Sequence, residues 1–281
     1  MKNAFTIDVE DYFQVQAFAN IIDPKTWGEF NTRVEDNTYR ILDLMSEHGV
    51  KGTFFVLGWV AKRYPKIVKR ISEEGHEIAS HGMSHQLIYT QSVDTFRSET
   101  IDSKAILEDL CQCEVLGYRA ATYSITDASR WALDIIYESG FKYDSSIFPI
   151  KHDNYGMHLD NINPHILKTD GGYSIAEFPI SVYPFLNKNI PVAGGGYFRL
   201  FPYVLTRFFL SRINKSSREF VFYLHPWEID PGQPSIDNIG WKSKFRHYNN
   251  LELTEMRLTN LLNDFKFDTM RSVLSDLSLI R

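Results

Sequence analysis

The sequence has few of the residues on which several classes of protein depend. It contains only two cysteines in 281 residues, Cys111 and Cys113. Their C-x-C spacing suits a disulfide poorly, and no further cysteine is available to complete a thiolate metal site. We therefore expect both cysteines to be reduced and to have only a structural role.

The chain also lacks long apolar runs and clusters of positive charge. Its formal net charge is −5, and no run of Lys and Arg offers an electrostatic footprint for a nucleic acid. No stretch approaches the roughly 18 consecutive apolar residues of a membrane-spanning helix. The segment Met1–Asp8 reaches charged residues too soon for a secretory signal. We expect a cytoplasmic protein without a transmembrane segment, working at the inner membrane surface if its substrate is lipid-linked.

Segments typical of strands and of helices alternate along most of the chain. Short β-rich runs occur at Ala4–Val9, Gly52–Leu57, His76–Ser80, Glu114–Gly117 and Phe220–Leu224. Apolar residues at helical spacing and terminal glycines predict helices at Arg33–His48, Val60–Glu73, Ser92–Leu110, Asp127–Ser139, Tyr203–Ile213, Leu253–Phe265 and Met270–Leu277. This alternation predicts an α/β fold in which helices surround a parallel sheet or barrel.

The alternation is interrupted between about Ile147 and Pro202, where proline and glycine are frequent. Such a segment predicts irregular strands and long loops, which often carry binding residues. No linker is long enough to require a second domain. We expect one domain, with a core at residues 1–230 and a C-terminal helical extension at residues 231–281.

Two short segments, each after a predicted strand, could together hold a metal ion. Asp8 and Glu10 project to the same side of an extended chain, so that one can bind a metal ion while the other accepts a proton. Asp11 is the alternative to Glu10 as the carboxylate ligand. His81 and His85, four residues apart, would share one face of a helical turn, as in the H-E-x-x-H zinc helix. A carboxylate and two imidazoles make a divalent metal site, with zinc as the favoured ion.

Three further residues complete a candidate hydrolytic site. His225 follows a buried apolar strand and could act as an acid, because the pKa of histidine lies near neutral pH. Arg119 could hold a catalytic aspartate ionised, and Asp144, at another strand end, could orient His225. Each segment alone also has a plain structural explanation, such as a solvated acidic loop, a core histidine or a surface ion pair.

Taken in order, these segments resemble the polysaccharide deacetylases (NodB-like, carbohydrate esterase family 4). The family has an acidic strand end, an H-[ST]-x-x-H pair, an R-x-P segment, an aspartate at a strand end and a terminal L-x-H. The corresponding residues here are Thr6–Glu10, His81–His85, Arg119–Ala121, Tyr143–Ser146 and Leu224–His225. The order of the motifs is kept from the first residues to about residue 230.

The resemblance implies a distorted parallel (β/α) barrel of about seven strands and metal-dependent removal of N-acetyl groups from amino sugars. It implies that Asp8 is the general base, held by Arg119, and that His225 is the general acid, with Asp144 as its partner. His81 and His85 would be metal ligands. The third ligand is Glu10 or Asp11, because the aspartate of the family pattern falls on Val9; the period of two favours Glu10.

Other departures and additions concern the loops. Gly82 replaces the family's Ser or Thr, and Ala121 replaces the proline of the Arg motif. The chain also resembles a subgroup of the family that is linked to bacterial exopolysaccharide biosynthesis. The similar segments are Asp8–Phe13, Gly194–Arg199, His225–Glu228 and the helical tail. Three kinds of contact with an N-acetylated glycan are expected. Leu224 could line a pocket for the acetyl methyl group, and a backbone N–H near residues 121–123 could stabilise the oxyanion. The candidates for stacking on sugar rings are Tyr12, Phe13, Tyr123, Tyr197, Phe198, Trp227 and Trp241.

Two other functions stay open at this point. The same scaffold hosts hydrolases of small cyclic amides, which loss of the metal ligands would favour. A non-catalytic carbohydrate-binding module would instead be favoured by loss of Asp8 or His225, and both are present. The glycan and the oligomeric state, including a homo-oligomer, are not defined by the sequence.

Overall fold

The computed structural model describes residues 1–152, 155–186 and 188–280. Its strands are β1 (Asn3–Val9), β2 (Thr53–Val56), β3 (Glu77–Ser80), β4 (Gly117–Tyr118), β5 (Tyr143–Asp144), β6 (His165–Lys168), β7 (Ser174–Glu177), β8 (Val182–Phe185), β9 (Lys188–Pro191), β10 (Val221–Leu224) and β11 (Phe267–Asp268). The larger sheet contains all of them except β8 and β9, which form a separate hairpin.

The α-helices are α1 (Val34–Glu47), α2 (Gly58–Arg63), α3 (Pro65–Glu73), α4 (Val93–Cys111), α5 (Ala132–Glu138), α6 (Gly195–Leu200), α7 (Tyr203–Lys215), α8 (Trp241–Tyr248), α9 (Leu251–Asp264) and α10 (Met270–Asp276). Short 3₁₀ helices lie at Gln16–Phe18, Pro24–Glu29, Ile88–Thr90, Ala121–Tyr123, Asp127–Ser129 and Pro226–Ile229. Among the described residues, no helix combines the length and the apolar composition needed to cross a membrane.

The main sheet is a curled half-barrel of mostly parallel strands. Strands β10, β1, β2, β3, β4, β5 and β7 lie side by side in that order and pair in parallel. Antiparallel β6 extends the sheet beyond β7, and β11 pairs with the start of β1. The predicted distorted parallel barrel of about seven strands is therefore confirmed.

Strand β1 runs through the interior of this half-barrel, and all of its residues are buried. Phe5, Ile7 and Val9 belong to the main hydrophobic core. The alternate residues Thr6 and Asp8 point to the other face, where both contact a buried arginine. The period of two thus sends apolar side chains to the helices and polar side chains into the barrel.

Two of the predicted helices are divided in the structure. The helix expected at Val60–Glu73 is interrupted at Tyr64, because the following Pro65 disfavours the helical conformation of the residue before it. Pro65 instead starts α3, a position where its missing N–H costs no hydrogen bond. The helix expected from Asp127 is a short 3₁₀ helix, and α5 begins only at Ala132.

The segment expected to be loop-rich contains the β6–β7 and β8–β9 hairpins and short α6. It returns to the barrel at Gly194, which forms an isolated bridge with Tyr223 of β10. The C-terminal helices pack against the barrel: α10 contacts β1, and α9 contacts α6 and the 3₁₀ helix after β10.

Gly117 tests how tightly β4 packs against β5. A Cβ atom at Gly117 would lie 2.1 Å from the ring of Tyr143, which no side chain tolerates. We expect Gly117→Ala to lower the free energy of unfolding by about 1–3 kcal/mol or more, measured by urea denaturation. Gly196→Ala is the control, because a Cβ there meets nothing within 4 Å. An unchanged stability of the Gly117 variant would contradict this packing.

Candidate functional site

Side chains from the carboxyl ends of three strands meet in one cavity. Asp8 lies on β1 with Glu10 just beyond it, His81 follows β3, and His225 follows β10. The carboxyl ends of parallel strands share one edge of the barrel, which is why residues distant in sequence converge there. The cavity has a volume of about 170 Å³ and is lined by Asp8, Glu10, Val15, Gln16, His81, His85, Thr122, Tyr123, Tyr155, Tyr223, His225 and Trp227.

Glu10, His81 and His85 form a cluster suited to a metal ion. One potential ligand atom of each lies within 4.8 Å of the others. Glu10 is buried, and its Oε2 lies 2.5 Å from His85 Nε2. His81 Nδ1 lies 2.8 Å from the carbonyl of Arg119, so it donates there and leaves Nε2 as a free lone pair. This donor set fits a divalent ion such as zinc.

The two histidines are not on a helical turn, so that part of the prediction was wrong. The backbone N–H of His81 still bonds to Val56 in the manner of the sheet. The chain then turns sharply, with left-handed backbone conformations at Gly82 (φ +74°) and His85 (φ +53°). A glycine at position 82 adopts this conformation without the strain that a Ser or Thr would meet. A loop, and not a helix, therefore brings the two imidazoles together.

Asp11, the rival ligand, is engaged elsewhere. One of its carboxylate oxygens accepts hydrogen bonds from the backbone N–H groups of Arg33 (2.8 Å) and Val34 (3.0 Å) at the start of α1. The other accepts from the N–H of Tyr12 at 2.9 Å. Asp11 therefore caps a helix that has no capping side chain of its own, and the geometry favours Glu10 as the metal ligand.

Asp8 is held by the buried guanidinium of Arg119. Arg119 Nη1 lies 2.7 Å from Asp8 Oδ1 and also donates to Thr6 Oγ1 at 2.8 Å. The remaining groups of Arg119 donate to the carbonyl and the hydroxyl of Ser145. The other carboxylate oxygen of Asp8 accepts a 3.3 Å hydrogen bond from Tyr123. The predicted contact of Arg119 with Asp8 is present in the structure.

The partner of His225 is Glu228, three residues later, and not Asp144. His225 Nδ1 lies 2.7 Å from Glu228 Oε1, and its Nε2 faces the cavity, 3.5 Å from Glu10 and 3.9 Å from Asp8. Asp144 accepts hydrogen bonds from the N–H and the hydroxyl of Ser146. The prediction for Asp144 was wrong because four strands separate β5 from β10 in the sheet, and both oxygens of Asp144 are bonded to Ser146.

Burial and neighbouring charges set the protonation of these groups. Burial lowers the pKa of His81 to about 4. Burial opposes ionisation of Glu10, but His85 and His225 outweigh it and lower its pKa to about 2. Burial likewise disfavours the cationic form of His225, yet Glu10 and Glu228 raise its pKa to about 9. At neutral pH, His81 is therefore uncharged, Glu10 is ionised and His225 is in its cationic form.

The predicted substrate contacts fall into three groups. Tyr123 and Trp227 line the cavity, and Tyr197 lines a neighbouring one. Leu224 does not line the cavity: it lies in the hydrophobic core, because β10 alternates and directs Tyr223 towards the cavity instead. Of the other aromatic candidates, Tyr12, Phe13 and Phe198 are buried, and Trp241 is 75% exposed.

Two further cavities extend the site on either side. One of about 230 Å³ shares Val15, Gln16 and His85 with the central cavity. The other, of about 360 Å³, shares Tyr155 and Tyr223 with it. Except for His85, the sequence analysis missed these shared residues, which are Val15, Gln16, Tyr155 and Tyr223. The position of Tyr223 could have been predicted, because side chains alternate along a strand and Tyr223 and Leu224 directly precede His225. The sequence around Tyr155 carries no comparable signal.

Two family models match the chain in succession. Residues 24–137 match the polysaccharide deacetylase model. This part of the chain is thus similar to polysaccharide deacetylases. Residues 145–275 match a domain of unknown function, DUF3473. Asp8 and Glu10 precede both segments. The models meet between residues 137 and 145, so the single domain with a boundary after residue 230 stays a prediction.

Curated relatives of the chain are named as carbohydrate deacetylases. A peptidoglycan-N-acetylglucosamine deacetylase from Bacillus cereus is 44% identical over 73 residues, which are 26% of each chain. A chitooligosaccharide deacetylase from Rhizobium leguminosarum bv. trifolii is 30% identical over 102 residues, 36% of this chain and 45% of that protein. The chain therefore spans less than half the length of either relative.

The fold itself is shared over nearly the full chain. A solved structure of a Mycobacterium smegmatis protein assigned to the polysaccharide deacetylases superposes with a TM-score of 0.65 at 22% identity. The superposition covers 97% of this chain and 88% of that one. This likeness shows that the half-barrel is the deacetylase (β/α) barrel fold.

Replacing Arg119 tests the buried ion pair directly. Arg119→Met leaves the Asp8 carboxylate buried without its partner, and we expect a loss of about 3–5 kcal/mol in the free energy of unfolding. Arg97→Met is the control, because it breaks a surface pair with Glu138 and should cost less than about 1 kcal/mol. Adding Asp8→Asn to the Arg119 variant should recover part of the loss. Equal losses in the two Arg variants, measured by urea denaturation, would contradict this account.

Proposed function

We propose that this protein is a metal-dependent hydrolase that removes N-acetyl groups from amino sugars of a bacterial poly- or oligosaccharide. The observation that carries the proposal is the convergence of Asp8, the Glu10 cluster and His225 in one cavity. A base, a metal-ligand set and an acid are the groups that amide hydrolysis needs. The match of residues 24–137 to the polysaccharide deacetylase model and the named deacetylase relatives support the same reaction.

Glu10, His81 and His85 would hold the metal, with zinc as the favoured ion because carboxylate and imidazole ligands suit it. When bound, a divalent ion polarises the acetamide carbonyl and lowers the pKa of a water. The 2.5 Å contact between Glu10 Oε2 and His85 Nε2 supports this assignment, because it brings two kinds of zinc ligand together in a buried place. A ring nitrogen of each histidine lies within 4.8 Å of the other and of a Glu10 carboxylate oxygen.

Asp8 would take the proton of the attacking water as general base. Arg119 and Tyr123 fix both of its carboxylate oxygens, so its orientation towards the cavity is set before substrate binds. His225 would protonate the departing amine, since it carries a proton at neutral pH and directs Nε2 into the cavity. The backbone N–H of Tyr123 already donates a hydrogen bond to the carbonyl of Ala120. The backbone N–H of Thr122, a residue that lines the cavity, would therefore be the preferred donor to the oxyanion.

The shape of the site supports a substrate longer than one sugar. The central cavity shares lining residues with each of its two neighbours. Tyr123 and Trp227 would contact the reacting sugar, and Tyr197 a neighbouring unit. Sugar rings stack on such aromatic faces, whose apolar area is large. Exopolysaccharide biosynthesis, a cytoplasmic location and a homo-oligomer stay predictions from the sequence.

The alternative functions are less well supported. Loss of the metal ligands would have favoured hydrolysis of small cyclic amides. Glu10, His81 and His85 are present, and their potential ligand atoms lie within 4.8 Å of one another, which speaks against this function. A binding module without catalysis has no need for a buried base and acid. Asp8 and His225 lie 3.9 Å apart at the cavity, which favours an enzyme.

Acetate release tests the proposed function. With a panel of N-acetylated oligosaccharides, we expect the wild-type protein to release acetate and a chelator to abolish release. Asp8→Asn should lower kcat by about 10²–10⁴-fold, the usual contribution of a general base. Asp109→Asn, on the exposed end of α4, is the control and should keep full activity. Unchanged acetate release by the Asp8 variant would contradict the catalytic assignment.

A further inference from the structure

Glu228 is a buried carboxylate to which the reaction outlined above assigns no role. We propose that Glu228, fixed by Arg199, is the positioning residue for His225, in place of a carboxylate at the end of β5. This inference rests on the proposed function for its effect on the rate. The pairing itself is a matter of geometry and can be tested without activity.

The local chain explains why Glu228 reaches His225. Pro226 starts a short 3₁₀ helix, in which Glu228 is the third residue after the histidine. Glu228 Oε1 accepts hydrogen bonds from both the backbone N–H (3.1 Å) and Nδ1 (2.7 Å) of His225. The carboxylate therefore caps the turn and holds the imidazole at the same time.

Trp227 restrains the imidazole of His225 from its face. The two rings are stacked, with centroids 5.3 Å apart and an interplanar angle of 18°. With Nδ1 held by Glu228 and the face covered by Trp227, Nε2 can point only into the cavity. Donation from Nδ1 to a carboxylate also selects the tautomer, so that Nε2 is the atom that exchanges a proton.

Arg199 holds the second oxygen of Glu228. Arg199 Nε donates to Glu228 Oε2 at 2.7 Å, and both side chains are about 2% exposed or less. The other guanidinium N–H groups donate to the carbonyls of Arg246, His247 and Asn249 at the end of α8, at 2.8–2.9 Å. All three guanidinium nitrogens are used, so the orientation of Arg199 is fixed by the C-terminal extension.

Three consecutive glycines at the start of α6, Gly194–Gly196, make room for this arrangement. A Cβ at Gly195 would lie 1.9 Å from Glu228 Oε1, and one at Gly194 would lie 2.3 Å from the hydroxyl of Tyr223. A Cβ at Gly196 would meet no other atom within 4 Å. The glycine run, the His225–Glu228 segment and the end of α8 are distant in sequence, and they meet around one carboxylate.

The activity test compares Glu228→Gln with Asp144→Asn and includes His225→Ala. We expect Glu228→Gln to lower kcat at least about tenfold with KM changed less than about twofold, because the residue touches His225 and not the substrate. Residues that act as a unit are not additive. Glu228→Gln should therefore have no further effect on kcat in the His225→Ala protein, whereas the effect of Asp144→Asn should multiply with that of His225→Ala.

An NMR test separates failure of this inference from failure of the proposed function. In ¹⁵N-labelled wild-type protein, the Nδ1 proton of His225 should resonate far downfield, as expected for donation to a buried carboxylate. It should lose this shift in Glu228→Gln and keep it in Asp144→Asn. If the wild type releases no acetate, the proposed function fails, and these spectra still decide the pairing.

Three results would overturn the inference. The first is a downfield Nδ1 proton that survives in Glu228→Gln or disappears in Asp144→Asn. The second is an active wild type whose kcat is unchanged by Glu228→Gln. The third is a fall in kcat caused by Glu228→Gln that is as large in the His225→Ala protein as in the wild type, since a purely structural role would give that additive result.

Discussion

The buried ion pair between Arg119 and Asp8 is the contact on which the rest of the site depends. The guanidinium is fully buried and links β1 to the loop after β5 across the barrel interior. An isolated charge in that position would cost several kcal/mol, so the pair holds only because both partners are present. The same rule extends through the cleft, where Glu10 faces His225 and Glu228 faces Arg199. In these three pairs each anion has a cationic neighbour, and the side chains that line the cavity are oriented as a consequence.

The barrel and the chain that follows it make different contributions to the site. The parallel strands of the first half bring Asp8, Glu10, His81 and His85 to one edge, and residues 24–137 of this half match the polysaccharide deacetylase model. The later segment, matched by DUF3473, supplies Arg199 and the α8 carbonyls that hold it. It also provides Tyr155 and Tyr197 beside the central cavity. The later segment therefore supports the acid side of the proposed reaction and extends the binding cleft.

Most of the fold could be predicted from sequence because buried strands and amphipathic helices leave local apolar patterns. The pairing of His81 with His85 was found for the wrong reason, since spacing alone cannot distinguish a helical turn from a loop with left-handed residues. The choice between Glu10 and Asp11 needed the position of α1, whose N–H groups occupy Asp11. Glu228 was missed because an acidic residue three positions after a histidine looks like surface sequence until Arg199 is placed beside it.

The central claim is that Glu10, His81 and His85 bind the catalytic metal. It is tested most directly by anomalous diffraction at the zinc absorption edge, from crystals of the protein grown with zinc. The account predicts one strong peak within bonding distance of these three side chains, with Asp11 still bonded to the start of α1. A zinc ion ligated by Asp11 in place of Glu10, or the absence of a peak between the two histidines, would contradict it.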